Sequence, residues 1–135
     1  MPVIDSQIDT NSDEFKANAE FMKEAIASFR DVEQQVTDKA NSAKPKFEKR
    51  GQLLPRERLG LLLDPGAPFL ELSSLAGHLM HDDKDGSGAG GGIIAGIGYV
   101  SGVRCLVSAS NSAIKGGTIS PAGLHKSARL QTIAM

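Results

Sequence analysis

The sequence contains no tryptophan, one tyrosine and one cysteine among its 135 residues. The single cysteine, Cys105, excludes a disulfide within the chain and is typical of proteins kept in a reducing compartment. No apolar run approaches the roughly 18 residues that a membrane-spanning helix requires. A net charge of -1 gives no electrostatic reason to expect nucleic-acid binding. These absences predict a cytoplasmic protein of one domain at most, with neither a membrane nor a nucleic acid as its partner.

The first part of the chain has the periodicity of a long helix. Asn11 and Glu14 have the spacing of an N-cap residue and its N3 partner. Apolar residues follow at intervals of four and three, which places them on one face of a helix ending near Ala40. They are Phe15, Ala19, Met22, Ile26, Phe29, Val32 and Val36. We expect this helical extension, residues 1–42, to lie either across its own domain or against a partner subunit.

A basic connector and two short elements follow the predicted helix. Residues 41–51 are rich in lysine and arginine, which favours either a solvated linker or a contact for a phosphate-bearing ligand. Pro55 begins a short predicted helix, residues 55–63, which an Asp-Pro-Gly turn ends at residues 64–66. Residues 69–72 predict a brief strand.

Ten of the fifteen glycines fall within residues 86–118, around two apolar runs. The acidic and glycine-rich residues 82–92 predict a mobile surface loop. Residues 93–100 and 103–109 predict a hairpin, because the Ser-Gly pair between them suits a two-residue turn. Both arms are apolar on successive residues, which predicts burial on both faces of the hairpin.

The last residues predict another helix, with Ser120 as its N-cap and Pro121 as its first residue. The sequence reaches Met135 without a glycine, a proline or a capping residue that would end this helix. We therefore expect the chain to be a fragment of a longer protein.

Few side chains suit catalysis or metal binding. His78, His81, Asp82 and Asp83 have metal-ligand chemistry, but two histidines three residues apart without a third nearby indicate a polar loop entrance rather than a metal site. Cys105 lies within an apolar strand, which favours a buried structural thiol over a nucleophile. The glycine-rich run precedes a strand, whereas a dinucleotide-binding glycine motif follows one. We therefore predict no catalytic residue and no metal ligand in this chain.

The loop after the hairpin, residues 110–118 (SNSAIKGGT), is the best candidate for a binding site. Backbone N–H groups beside glycines, together with one lysine, can hold an anionic oxygen or a polarised carbonyl. A plain structural turn has the same composition. The residues alone leave both interpretations open.

Five ordered blocks of the sequence resemble a known family. They are KRGQLLPRER at residues 49–58, LLLDPG at 61–66, FLEL at 69–72, GIIAGIG at 92–98 and AIKGGT at 113–118. Their order and spacing resemble the N-terminus of the carboxyltransferase (β) subunit of biotin-dependent acyl-CoA carboxylases. The resemblance covers about residues 43–135. It is greatest to the geranyl-CoA and 3-methylcrotonyl-CoA carboxylase branch.

The resemblance implies an α/β fold of the crotonase-like (ClpP/crotonase) type, in which ββα units stack as a superhelix. Residues 43–135 would be the start of the acyl-CoA carboxyltransferase N-terminal domain, truncated and preceded by the long helix. Many relatives have Asn-Asp where this chain has Asn111-Ser112, so no role for an acidic residue is implied there. The residues placed by the resemblance along the acyl-CoA are Ser112, Ala113, Ile114, Lys115, Gly116 and Gly117.

The implied reaction moves a carboxyl group from carboxybiotin to geranyl-CoA or 3-methylcrotonyl-CoA. Biotin, the implied cofactor, would be carried by a partner α subunit and not be bound by this chain alone. The β subunits would form a homo-oligomer, and the isolated chain would be inactive. The alternative is a non-catalytic module that binds CoA or docks onto another subunit through its N-terminal helix.

Overall fold

The computed structural model describes residues 6–80 and 83–135. The helices are α1 (Asp13–Asn41), α2 (Lys44–Glu48), α3 (Pro55–Leu62) and α4 (Pro121–Ala134). The strands are β1 (Leu70–Glu71), β2 (Ile93–Val100) and β3 (Val103–Ser110), and a single 3₁₀ turn spans Lys115–Gly117. None of the helices in these described ranges is long and apolar enough to cross a bilayer. The chain divides into two units, the first ending at Asp31 and the second beginning at Val32.

The long N-terminal helix is confirmed, but its predicted cap is wrong. The Phe15 amide donates to Ser12 Oγ at 3.1 Å, so Ser12 is the N-cap rather than Asn11. The Asn11 amide instead donates to Asp9 Oδ1 at 2.9 Å, in a turn before the helix. Several large apolar side chains of the helix are exposed to solvent. They are Phe15, Phe21, Met22, Ile26 and Phe29.

The predicted connector at residues 41–51 is partly helical, because it contains α2. Pro45 lies in the first turn of α2, where its missing N–H costs no helical hydrogen bond. Helix α3 begins as predicted, and Glu57 Oε2 accepts from the Leu54 amide at 2.8 Å. This contact caps the helix in the way that a glutamate at the N3 position does.

The three strands form one antiparallel sheet in the order β1-β2-β3. The predicted hairpin is confirmed, with Val100 opposite Val103 and Ile93 opposite Ser110. Both turn residues have positive φ, 52° at Ser101 and 77° at Gly102, as a tight hairpin turn requires.

The carboxylate of Asp64, in the turn that follows α3, binds the tight turn of the hairpin. Asp64 Oδ1 accepts from the Ser101 amide and Asp64 Oδ2 from the Gly102 amide, each at 2.7 Å. One side chain therefore satisfies two amides that a tight turn leaves without a strand partner. The sequence predicted Asp64 only as part of its own Asp-Pro-Gly turn.

Burial of the hairpin on both faces is wrong for β3. Four of the eight residues of β2 are buried and none is fully exposed, whereas Val107 is the one buried residue of β3. Leu59 of α3 packs with Ile94 and Val107 to form one apolar cluster. Cys105 is half-buried at the edge of this cluster rather than enclosed. The described chain covers one face of β3 and leaves the other exposed.

The prediction of a surface loop at residues 82–92 is wrong for much of its described part, although Lys84 and Asp85 are exposed. Asp83 and Ala89 are 6% and 2% exposed, and Gly90 and Gly91 are also buried. Ala89 packs against Val36 and Ala40 at the end of α1 and against Ile114. Glycine here allows close packing against other backbone.

Candidate functional site

The loop predicted to lie along acyl-CoA leaves β3 and ends in the 3₁₀ turn. Three consecutive residues have positive φ, 47° at Lys115, 67° at Gly116 and 80° at Gly117. The Asn111 amide donates to the Gly92 carbonyl at 2.7 Å, which joins the start of the loop to the residues before β2. The loop therefore has a defined conformation that its own turn and one contact with the sheet maintain.

The structure brings the six predicted residues into one turn but directs them differently. Ile114 is 6% exposed and belongs to a core cluster, so its side chain is structural. Ser112 and Ala113 are half-buried, whereas Lys115 and Gly116 are exposed. A ligand would reach the loop chiefly at its Lys115-Gly116 corner.

Two amides of the loop are used within the turn itself. The Gly117 amide donates to the Ile114 carbonyl at 3.1 Å, and the Thr118 amide donates to the Lys115 carbonyl at 3.3 Å. The sequence offered such amides as donors to a bound oxygen. In this conformation these two stabilise the turn.

Small pockets lie on either side of the loop. One contains Lys115 and Thr118 and faces the glycines before β2 and the start of α4. A second, of ≈ 420 Å³, lies between β3 and α4 and includes Ser110 and Gly117. A third lies at Ser112, beside the α2–α3 connection, and its lining includes Arg58. The loop is therefore the one segment among the described residues that all three pockets share.

Glycine makes one wall of the first pocket possible. A Cβ at Gly91 would lie 2.7 Å from the Cα and N of Gly123 in α4. A Cβ at Gly77 would lie 2.6 Å from the Cβ of Ala122, also in the first turn of α4. The start of α4 therefore touches the backbone before β2 directly, which places Ser120 and Ala122 at the pocket wall.

The predicted N-cap of α4 is confirmed, since the Gly123 amide donates to Ser120 Oγ at 3.0 Å. This cap fixes the first turn of the helix at the point where it contacts the glycines. Sequence chemistry therefore predicted the correct start of the element that forms one side of the pocket.

The histidine and aspartate group is only partly described, because His81 and Asp82 lie outside the described residues. Asp83 accepts from the Leu79 amide at 3.1 Å and from the Gly88 amide at 2.8 Å. Its carboxylate thus closes a turn of the backbone. His78 Nδ1 is buried without a hydrogen-bond partner among the described residues.

Sequence reasoning missed Lys126, which the structure places against the turn at residues 90–93, just before β2. Its side chain is buried, and its Nζ donates to the Gly90 carbonyl at 3.2 Å and to the Ile93 carbonyl at 2.6 Å. Burial lowers the pKa of Lys126 to about 8, with Arg56 acting in the same direction and Glu71 against it. The spacing of the residues was a usable signal, because Gly123, Lys126 and Leu130 lie at intervals of three and four and so share one face of α4. The structure shows that all three are buried.

This lowered pKa predicts that Lys126 makes stability depend on pH. The pKa of Lys126 is about 8 in the folded chain and 10.5 for a lysine free in water, so the unfolded chain binds more protons between these two values. The free energy of unfolding therefore rises with pH, and the gain is lost as the pH falls through about 8. We expect a gain of about 2 kcal/mol between about pH 7 and about pH 9.5.

The measurement is urea denaturation of the wild type and of Lys126→Met across this pH range. Other groups titrate in both proteins, so their effects cancel in the difference between the two curves. The wild type should gain stability relative to the variant as the pH rises. Parallel curves would show that Lys126 keeps an ordinary pKa in the folded chain.

Comparisons with known proteins agree with this architecture. Residues 46–135 match the family described as the carboxyl transferase domain. The crystal structure of the β subunit of P. aeruginosa geranyl-CoA carboxylase (GCC) is 69% identical, with a TM-score of 0.88 over 99% of this chain. A probable mitochondrial methylcrotonoyl-CoA carboxylase β chain from Drosophila melanogaster is 41% identical over 133 residues, 98% of this chain.

A more distant structure supports the fold alone. Transcarboxylase 12S is 19% identical, with a TM-score of 0.70 over 83% of this chain and 23% of its own. The expected crotonase-like fold is confirmed by these neighbours. This chain spans 25% of the P. aeruginosa subunit and 23% of the Drosophila chain, about a quarter of each.

Proposed function

The chain belongs to the carboxyl transferase domain family, and we propose on this premise that it forms part of the carboxyltransferase (β) subunit of a biotin-dependent acyl-CoA carboxylase. Residues 43–135 would be the start of its N-terminal domain, and residues 1–42 a helical extension. The 69% identity to a geranyl-CoA carboxylase subunit favours a branched enoyl-CoA, geranyl-CoA or 3-methylcrotonyl-CoA, as the substrate.

In this proposal the chain contributes part of the acyl-CoA site. Carboxybiotin, carried on a partner α subunit, supplies the carboxyl group, and we assign no described residue to biotin. The acceptor carbon loses a proton, and the negative charge moves toward the thioester oxygen. Backbone N–H groups stabilise such a charge at about 3 kcal/mol for each donor. A single cysteine favours the cytoplasm as the compartment for this protein.

The observation that carries the proposal is the exposed corner of the loop at Lys115 and Gly116. A side chain at Gly116 would meet no atom within 4 Å, so the backbone there is open to a ligand. Lys115 is exposed beside it and lines the pocket toward α4. Open backbone next to a cation suits the phosphates and the thioester of an acyl-CoA.

The test is carboxylation by the β subunit that contains this chain, assembled with its biotin-carrying partner. Incorporation of labelled bicarbonate is measured with geranyl-CoA, 3-methylcrotonyl-CoA and propionyl-CoA. We expect incorporation with the branched enoyl-CoA substrates and none with the isolated chain. No incorporation with any acyl-CoA would contradict the proposal.

A second candidate function is docking, which the exposed apolar side chains of α1 favour. Phe21 and Met22 are 71% and 55% exposed, although they lie in a helix that also has a charged face. In this alternative the chain joins subunits, including copies of itself, and does not contact the substrate. Sedimentation at several concentrations and calorimetry with CoA separate the two. Dimers that do not bind CoA favour docking.

A further inference from the structure

A buried ammonium group holds both ends of the turn that precedes β2. Lys126 is 4% exposed, and its Nζ donates to the carbonyls of Gly90 and Ile93. The Ile93 amide also donates to the Gly90 carbonyl at 3.2 Å, which closes the turn. One side chain from α4 therefore connects the helix to the first and last residues of this turn.

The charge of Lys126 is costly at this position. Removing an ammonium group from water is expensive, and hydrogen bonds to buried acceptors offset only part of this cost. The opposite charge that acts on it, Glu71, is already paired with Arg56 through two hydrogen bonds of 2.7 and 3.0 Å. We therefore infer that this position requires a side chain that can donate hydrogen bonds to the carbonyls of Gly90 and Ile93.

The three glycines of the turn have no side chains of their own to anchor it. Gly90, Gly91 and Gly92 have φ of 96°, 67° and 73°, and none has a side chain that could pack or bond. Glycine also loses the most conformational freedom when it is ordered. The hydrogen bonds from Lys126 reduce the number of conformations open to these three residues.

The turn at residues 90–93 also contacts the candidate acyl-CoA loop. The Gly92 carbonyl accepts from the Asn111 amide at 2.7 Å, at the start of that loop. A Cβ at Gly92 would lie 3.1 Å from the Thr118 carbonyl, at the end of the same loop. A shift of the turn would therefore move both ends of the loop.

We propose that Lys126 is a positioning residue, which fixes the turn at residues 90–93 and through it the conformation of the loop at residues 111–118. What the loop binds rests on the proposed function, but its dependence on Lys126 does not. Lys126 acts through backbone carbonyls and is not placed in contact with the substrate.

The kinetic test uses the β subunit that contains this chain, assembled with its biotin-carrying partner. We expect Lys126→Met to raise KM for acyl-CoA about fivefold with little change in kcat, because the loop binds less well but the reacting groups are unchanged. Arg129→Met is the matched control, since Arg129 is an exposed cation on the same helix. Equal KM values in the two variants would overturn the proposal.

A second kinetic test keeps N–H donors at this position. Lys126→Arg retains donors for the carbonyls of Gly90 and Ile93, so its KM for acyl-CoA should stay near the wild-type value. Lys126→Met has no such donor, and its KM should rise. Equal KM values in Lys126→Arg and Lys126→Met would contradict a positioning role through these carbonyls.

Amide hydrogen exchange tests the positioning without any substrate. Faster exchange is expected in Lys126→Met at residues 88–93 and 111–118, and no change in Arg129→Met. If the wild-type subunit uses no acyl-CoA, the proposed function fails and the exchange result alone decides the role of Lys126. Unchanged exchange in Lys126→Met at residues 88–93 and 111–118 would refute the positioning role of Lys126.

Discussion

Replacing Gly123 with alanine is expected to lower the free energy of unfolding by about 3 kcal/mol, although alanine is the better helix former. Gly123 lies in the first turn of α4, and an added Cβ there would overlap the Gly91 carbonyl oxygen. The Gly91 carbonyl is backbone, so no flexible side chain can move aside to make room for the added methyl group. The overlap outweighs the roughly 1 kcal/mol that alanine gains over glycine within a helix. Urea denaturation measures the difference.

The control is the same substitution at Gly60 in α3. Gly60 is exposed, and a Cβ there would meet no atom within 4 Å. Gly60→Ala should therefore stabilise the chain, by up to about 1 kcal/mol, through helix propensity alone. The two substitutions are thus expected to have opposite signs. A stabilising effect at both positions would mean that α4 does not touch the glycine turn.

Local chemistry predicted those parts of the fold that neighbouring residues determine. Ser101-Gly102 between two apolar runs gave the hairpin its turn, and Ser120-Pro121 gave the start of α4. The cap of α1 was misplaced because Asn11 and Ser12 both suit an N-cap. Only the contacts of each side chain distinguish them, since Ser12 bonds the Phe15 amide.

The glycine-rich residues show why composition could not predict the rest. Glycine suits both a mobile loop and a close contact between two segments of backbone. Which applies depends on a partner far along the chain, here Gly123 for Gly91. Lys126 was missed for the same reason. Its hydrogen-bond acceptors are the carbonyls of Gly90 and Ile93, which are far from Lys126 in the sequence and meet it only in the folded chain.

The candidate binding loop was indicated first by its composition and then by its resemblance to a family, and the structure adds which of its residues are accessible. Ile114 is a core residue, whereas Lys115 and Gly116 are exposed. Binding to the loop therefore remains a prediction that depends on its exposed corner. A substitution at that corner is the sharpest way to test it.

Gly116→Val should raise KM for acyl-CoA about tenfold, equivalent to ~1.4 kcal/mol of binding energy. Gly116 has a φ of 67°, and its added side chain would project into open space where we propose that the ligand approaches. Valine has two effects there. It obstructs the backbone, and it strains a left-handed conformation by about 1–2 kcal/mol. Steady-state kinetics of the subunit assembled with its biotin-carrying partner measures KM.

Gly66→Val separates these two effects. Gly66 has a φ of 78° and equally open surroundings, but it lies in the turn between α3 and β1. Its substitution should therefore cost similar stability through strain while leaving KM for acyl-CoA unchanged. A tenfold rise in KM that is confined to Gly116→Val would mean that ligand approach, and not the strain of the turn, requires glycine at this corner. Equal KM values for both variants would show that Gly116 serves only the turn.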